Sequence, residues 1–146
     1  MIVEGLIVVA AAALAPAGLP KDLQEPAAVV DAFHSALHRG DTKTAASLLN
    51  DDALIFESGE VERSKAEYAA DHLRADAEFS KAVSSVVTRR SGHSDGVIAW
   101  VASEGRYSGT YRGKELNQDT TETMLLRRIG RSWKIVHVHW SSASAH

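Results

Sequence analysis

The chain has 146 residues, of which 45% are hydrophobic and 24% charged, and its formal net charge is -3. This length fits one domain, and this balance is typical of a folded globular protein rather than a disordered chain. The slightly acidic charge argues against a nucleic-acid partner. Because the chain has no cysteine, disulfides, thiolate metal sites and cysteine nucleophiles are excluded.

The amino-terminal segment predicts export. Residues 5–14 form an unbroken apolar run that is too short to cross a bilayer as a helix, and Ala15 and Ala17 supply the small residues that a signal peptidase recognises. We therefore expect residues 1–17 to be a signal peptide of a secreted or periplasmic protein with no stable membrane span. Glu4 stands where a positive charge is usual, so a helix packed on the domain of a cytoplasmic protein is the alternative.

Three helices and a short strand are predicted next. Residues 18–25 are interpreted as a linker, and apolar residues recur at helical spacing from there to a glycine that suits a left-handed cap. The predicted elements are a helix from Pro26 to Gly40, a short helix capped by Asp41, a strand over 53–56 and a helix over 63–81.

The second half of the chain changes to the two-residue period of β-strands. Helices followed by a run of strands predict one α+β domain over residues 26–142, with 143–146 as a tail. Its curved antiparallel sheet would wrap around the third helix and leave a cavity at one end. The predicted strands are 83–90, 97–102, 116–129 and 133–141, with a loop at 91–96, a turn or bulge at 107–113 and a turn at 130–131.

Four segments carry a resemblance to a known family. They are HRGD at 38–41, LLNDDALIFE at 48–57, EYAADHLRAD at 67–76 and WKIVHVHWS at 133–141. In this order they resemble the nuclear transport factor 2-like superfamily, in particular SnoaL-like domains. The resemblance implies a cone-shaped, cystatin-like fold with a pocket between sheet and helices, and a homodimer through the outer sheet face. Relatives include ketosteroid isomerase, scytalone dehydratase, polyketide cyclases and non-catalytic association domains, so the fold does not select an activity.

Two carboxylates are candidates for acid–base catalysis. The resemblance to ketosteroid isomerase makes Glu57 a candidate base, and it places Glu122 near the acid that donates a hydrogen bond to an enolate oxygen. A partly desolvated carboxyl has the raised pKa that such a base needs. In the alternatives, Glu57 is solvated in a charged loop, Glu122 is a paired structural acid, or Thr123 takes its place. Phe33 replaces the isomerase's oxyanion-binding Tyr and has no donor, which argues against ketosteroid isomerisation by the same mechanism.

A polar cluster is predicted on the third helix. Tyr68 and His72 are one turn apart and can present a hydroxyl and an imidazole together. Asp76 can accept a hydrogen bond from one ring nitrogen of His72. His72 is the third candidate catalytic residue, after Glu57 and Glu122. The alternative is a half-buried histidine in a helix-cap network. The expected pocket walls and ligand contacts are Phe33, Tyr68, His72, Asp76, Trp100 and Trp140.

Two histidine pairs complete the candidates. His137 and His139 share the strand face opposite Trp140, so they point to the outer face or dimer seam. In the alternative they supply two metal ligands, and His72 or Glu122 would have to converge as the third. His34 and His38 are interpreted as a solvated helix edge. No phosphate-binding loop motif is present, so no nucleotide cofactor is expected and no metal is assigned.

The sequence therefore supports two hypotheses. In the first, the domain binds a small hydrophobic organic ligand and works as a cofactor-free acid–base lyase or isomerase, with Glu57 or His72 as base and Glu122 or Tyr68 at the oxyanion. In the second, it is a non-catalytic module that dimerises or docks a partner through its outer sheet face.

Overall fold

Four helices and six strands make up the part of the chain that the computed structural model describes, residues 18–146. The predicted signal segment, residues 1–17, lies outside the described residues, and export stays a prediction. The helices are α1 (Lys21–Arg39), α2 (Thr42–Leu48), α3 (Lys65–Asp71) and α4 (Leu73–Ala82). The strands are β1 (Leu49–Glu57), β2 (Glu60–Glu62), β3 (Val83–Ser94), β4 (Ile98–Tyr111), β5 (Lys114–Ile129) and β6 (Ser132–Ser144).

Helix α1 begins one turn earlier than predicted. Lys21 is its first residue, so the linker interpretation of 18–25 is wrong from that point on. The physical reason is Leu23, which is fully buried and extends the apolar face backwards. Pro26 therefore lies inside α1, in its second turn, where its ring removes one backbone hydrogen bond. The predicted end is confirmed, because Gly40 is left-handed at φ 72° and its N–H reaches the carbonyls of the last turn.

The predicted third helix is two helices. The chain breaks at His72, which has φ -101° and ends α3 before α4 begins. The side chain of His72 turns to the short strand β2, which the sequence did not predict. There Nδ1 contacts Glu62, and Nε2 lies 2.9 Å from a carboxylate oxygen of Glu60. These contacts outside the helix accompany the break in the helical path.

The sheet has the order β2-β1-β6-β5-β4-β3. Its neighbours pair antiparallel except β1 and β6, which run parallel and so differ from the expected all-antiparallel sheet. The predicted turn or bulge at 107–113 is mostly strand, since β4 continues to Tyr111. The turn itself is Arg112 and Gly113, with φ 50° and 75°, values that suit a two-residue hairpin.

The core lies between the concave face of the sheet and α1. Fully buried side chains come from both layers: Val30 and Phe33 from the helix, and Val101, Met124 and Val138 from the sheet. This is the expected α+β architecture, a single domain with a curved sheet around helices. The helix that contributes most to the core is α1, so the expectation that the sheet wraps around the third helix is wrong. No helix between residues 18 and 146 has both the length and the apolar character needed to cross a bilayer.

Candidate functional site

A cavity of about 970 Å³ opens between the concave face of the sheet, α1 and α4. Its walls combine aromatic side chains with both signs of charge. The polar and aromatic residues on which its chemistry depends are His34, Glu57, Asp76, Arg90, Glu122 and Trp140.

One lateral row across the sheet supplies most of these side chains. Arg90 pairs with Ser103, Ser103 with Glu122, and Glu122 with Trp140. Trp140 in turn pairs with Glu57 on the parallel strand. Directly paired residues point to the same face of a sheet, and all five line the cavity. The register of five strands therefore sets the order of the functional groups.

Glu122 stands at the centre of this row as one half of an ion pair. Nε2 of His34 lies 2.6 Å from its Oε2, and Nε1 of Trp140 donates to the same oxygen at 2.6 Å. Burial by itself would raise the pKa of Glu122, but the charge and hydrogen bonds of His34 and the bond from Trp140 outweigh burial and lower it. An ionised carboxylate accepts hydrogen bonds and cannot donate one to an enolate, so this geometry favours the paired-acid alternative.

His34 is a site residue that sequence reasoning missed. Burial by itself would lower the pKa of its imidazole, but the charge and hydrogen bond of Glu122 raise that pKa by more, so the imidazole is stabilised in its charged form. The side chain is 39% exposed, so the predicted solvated helix edge is correct in part, but the ring also lines the cavity and pairs with Glu122. A signal was present: Val30, Phe33, His34 and Leu37 are spaced i, i+3, i+4 and i+7, which places His34 beside the buried stripe of α1.

Glu57 and Asp76 form the acidic end of the cavity. Burial is the main cause that raises the pKa of Glu57, and the negative charge of Asp76 raises it further. Burial also raises the pKa of Asp76, against the opposing effects of a 2.6 Å hydrogen bond from the Tyr68 hydroxyl and of the His72 charge. Two poorly solvated carboxyls are thus more basic than carboxylates in water, as proton abstraction requires.

Tyr68 and Phe33 do not line the cavity as expected. Tyr68 is 1% exposed and Phe33 is fully buried. The Phe33 ring stacks on Trp140 at 6.2 Å between centroids, and the Tyr68 ring lies 6.4 Å from it. Both rings therefore support the wall from behind: Tyr68 positions Asp76, and Phe33 positions the indole of Trp140.

His72 and Trp100 also lie outside the cavity lining. His72 is held by the carboxylates of β2, as described above. Trp100 is 42% exposed on the outer sheet face, while its small neighbour Ala99 is buried. Helix α1 approaches this part of the sheet so closely that a Cβ added to Gly92 would stand 2.7 Å from Cδ2 of Leu23. This close packing favours small side chains on the inner face.

The strand histidines lie on the outer face, opposite Trp140, as their alternation predicts. Nδ1 of His137 lies 2.8 Å from the Leu54 carbonyl oxygen. Both rings pack edge-on against Phe56, with centroids 5.1 Å and 5.9 Å away for His137 and His139. Within residues 18–146, no group of three or more histidine and acidic residues is arranged to hold a metal ion.

A curved six-stranded sheet that holds helices over such a cavity defines the nuclear transport factor 2-like fold. The sequence profile of the SnoaL-like domain matches residues 27–145. The chain belongs to the SnoaL-like domain family.

Solved structures from three bacteria share this fold. A candidate ketosteroid isomerase from Shewanella frigidimarina is 36% identical, with 78% of this chain and 92% of that chain covered and a TM-score of 0.75. A candidate dehydratase from Streptomyces avermitilis is 22% identical over 85% of this chain and 97% of that chain, with a TM-score of 0.69. A candidate calcium/calmodulin-dependent protein kinase II association domain from Xanthomonas campestris is 23% identical over 90% of this chain and 96% of that chain, with a TM-score of 0.71. No curated protein matches the chain.

Removal of the Tyr68 hydroxyl should raise the pKa of Asp76. The hydroxyl donates to the carboxylate and so stabilises its charged form. In Tyr68→Phe we therefore expect a pKa higher than in the wild type and a loss of about 1 kcal/mol in unfolding free energy. Carboxyl-carbon NMR titration measures the first and urea denaturation the second. An unchanged or lower pKa would contradict the assigned contact.

The stability that the His34–Glu122 pair provides should decrease both at low pH and at high pH. The lowered pKa of Glu122 gives stability that is lost as pH falls through its folded pKa, and the raised pKa of His34 gives stability that is lost as pH rises through its folded pKa. His34→Gln should therefore cost most between pH 4.5 and pH 6.5, the ordinary pKa values of Glu and His. The cost should be about 1 kcal/mol, because the His34 side chain is 39% exposed and water weakens the pair.

Urea denaturation at pH 4, 5.5 and 8.5 checks this window. His38→Gln is the matched control, because it lies one turn further along α1 and its ring contacts the Ser80 carbonyl instead of a carboxylate. A cost of His34→Gln that does not change with pH would rule out the ion pair as its source.

Proposed function

We propose that the cavity binds a small hydrophobic organic molecule and that the protein acts on it as a cofactor-free acid–base lyase or isomerase. The observation that carries this proposal is the pair of carboxyls with raised pKa, Glu57 and Asp76, beside the Trp140 indole in an open cavity. The Shewanella relative, a candidate ketosteroid isomerase, supports chemistry of this class.

Glu57 is the proposed base. It would take a proton from a carbon atom next to a carbonyl group, with the apolar body of the ligand on Trp140. The raised pKa makes the carboxylate more basic than one in water, with burial as the main cause. His72, the other base considered, is not among the residues that line the cavity.

The developing oxyanion needs hydrogen-bond donors. Tyr68 donates to Asp76 and Glu122 is stabilised in its ionised form, so neither fills the role expected for it. Tyr107 lines the same cavity, and burial followed by the charges of nearby carboxylates raises its pKa to about 12. Its hydroxyl therefore stays protonated and can donate, as can the charged His34 ring.

Substitution of the base tests this function. We expect the wild-type protein to accelerate exchange of the α-protons of 2-tetralone in D₂O, followed by proton NMR. Glu57→Gln keeps the shape of the side chain and removes its basicity, so the rate enhancement should fall by about 10²-fold or more. In the wild type, the rate should rise with pH through the raised pKa of Glu57.

Glu78→Gln is the matched control for this substitution. Glu78 lies exposed on α4 and pairs with Arg74 at 3.2 Å, away from the cavity lining. Its replacement should leave exchange unchanged. Equal exchange by the wild type and Glu57→Gln would show that Glu57 is not the base.

The association module remains a second candidate because the outer sheet face carries apolar groups. Trp100 pairs laterally with Leu125, which pairs with His137, and the row ends at Leu54. Trp100 is 42% exposed, and an exposed indole is a typical interface anchor. We propose that this face forms a homodimer. The kinase-association neighbour from Xanthomonas is compatible with such a role through its fold alone.

Loss of the indole should weaken the dimer. In sedimentation velocity, Trp100→Ser should raise the dimer dissociation constant at least about tenfold, the loss expected for a central aromatic residue. Val61→Ser is the control, because Val61 is 38% exposed but lies on the edge strand β2. A monomeric wild type, or equal effects of the two substitutions, would exclude the proposed interface.

A further inference from the structure

Arg90 is a charged side chain that neither the proposed proton transfer nor the family assignment explains. It projects from β3 into the cavity wall, yet its side chain is only 7% exposed. Its Nε donates to the Ser103 hydroxyl at 3.1 Å, and its Nη1 donates to Asp31 on α1 at 2.7 Å. A guanidinium buried to this degree normally has all its donors engaged.

Part of this donor set is left for a ligand. Among residues 18–146, the protein partners of Arg90 occupy Nε and Nη1, while Nη2 is not used. The Ser103 hydroxyl accepts from Arg90 and so keeps its own proton for donation. Nη2 and the Ser103 hydroxyl can therefore each donate a hydrogen bond to one oxygen of a carboxylate, and the bond from the charged guanidinium is the stronger of the two.

The charges around Arg90 favour an anionic group in the cavity. Asp31, its carboxylate partner, also lines the cavity but is 61% exposed, so water weakens its interaction with Arg90. Glu104, the other acid on this side of the cavity, is 59% exposed and lies 3.8 Å from Arg89. Glu122, the next charged residue along the row, is neutralised by His34 at 2.6 Å. A ligand anion would therefore meet the buried Arg90 with opposing charges that are either screened by water or already paired.

The sheet also sets a length for the ligand. Arg90 on β3 and Glu57 on β1 are four strand spacings apart in the same row, which is roughly 19 Å between backbones along the sheet. Both long side chains line the cavity and shorten this span. A group bound at Arg90 and an atom that reacts at Glu57 thus belong to an elongated molecule that passes the Glu122–His34 pair and lies on Trp140 next to Glu57.

We propose that Arg90 and Ser103 bind the carboxylate of an elongated aromatic or polycyclic carboxylic acid, and that this class of molecule is the substrate. The inference rests on the proposed function, because it places the acid in the same cavity with its apolar body on Trp140. The inference adds the carboxylate, the part of the substrate that would fix its orientation in the cavity. Catalysis at Glu57 does not by itself require this group.

Two probes of similar shape test the subsite. 2-Naphthoate carries the carboxylate, and 2-acetylnaphthalene is its neutral counterpart. By isothermal titration calorimetry with the full chain at pH 7.5, we expect the wild type to bind naphthoate at least about tenfold more tightly. Arg90→Gln should bring the two affinities within about twofold by weakening naphthoate alone. Ser103→Ala, which keeps the Arg90–Asp31 pair, should reduce the preference about threefold.

Arg89→Gln is the matched control. Arg89 is the adjacent residue, is 74% exposed and lies 3.8 Å from Glu104, and its replacement should preserve the preference. Circular dichroism and thermal unfolding establish that each variant is folded. If Arg90→Gln does not fold, Ser103→Ala decides the question.

Each outcome separates this subsite from the proposed function. Equal binding of both probes by the wild type, or an equal loss of both in Arg90→Gln, would overturn the subsite. Active exchange of 2-tetralone that depends on Glu57 would still support the proposed function in that case. Absence of binding by either probe, together with absence of exchange, would overturn both.

Discussion

The site depends on one costly feature, an ionised carboxylate on the apolar concave face. Glu122 is 9% exposed and precedes Met124 and Leu126 along the inner face of β5. Removal of such a charge from water costs several kcal/mol unless it is paired and hydrogen-bonded. His34 from α1 and Trp140 from β6 meet that requirement at 2.6 Å each. The ionised form of Glu122 therefore depends on α1, which holds His34 over the sheet.

This pair divides the cavity into two chemically different ends. Toward β1, Glu57 and Asp76 are poorly solvated and basic, which suits proton transfer. Toward β3, Arg90 is buried beside a hydroxyl and suits an oxygen anion. Trp140 lies between them and is kept in place by ring contacts from behind. A ligand with one polar end and an apolar body fits this order without a metal or cofactor in the proposed chemistry.

Sequence periodicity was sufficient to assign a side chain to a face of the sheet where that face depends only on its own strand. Alternation along β5 placed Glu122 with Met124 and Leu126, and alternation along β6 placed the histidines opposite Trp140; both assignments are confirmed. Helical spacing could not reveal the break at His72, because the contacts that accompany it are made with β2, outside the helix. It also could not assign Trp100 to a face, since the close approach of α1 at Gly92 determines how much space the inner face offers.

The amino-acid sequence by itself determined the fold class, through the order and period of its elements. It determined the family and the candidate acids through the segments that resemble SnoaL-like domains. Only the tertiary structure decided which groups work together. His34 and Glu122 are separated by 88 positions along the chain, and Arg90 and Glu57 share a row only through the pairing of five strands. Burial and neighbouring charge, which set each pKa, are properties of that assembled arrangement and of no single segment.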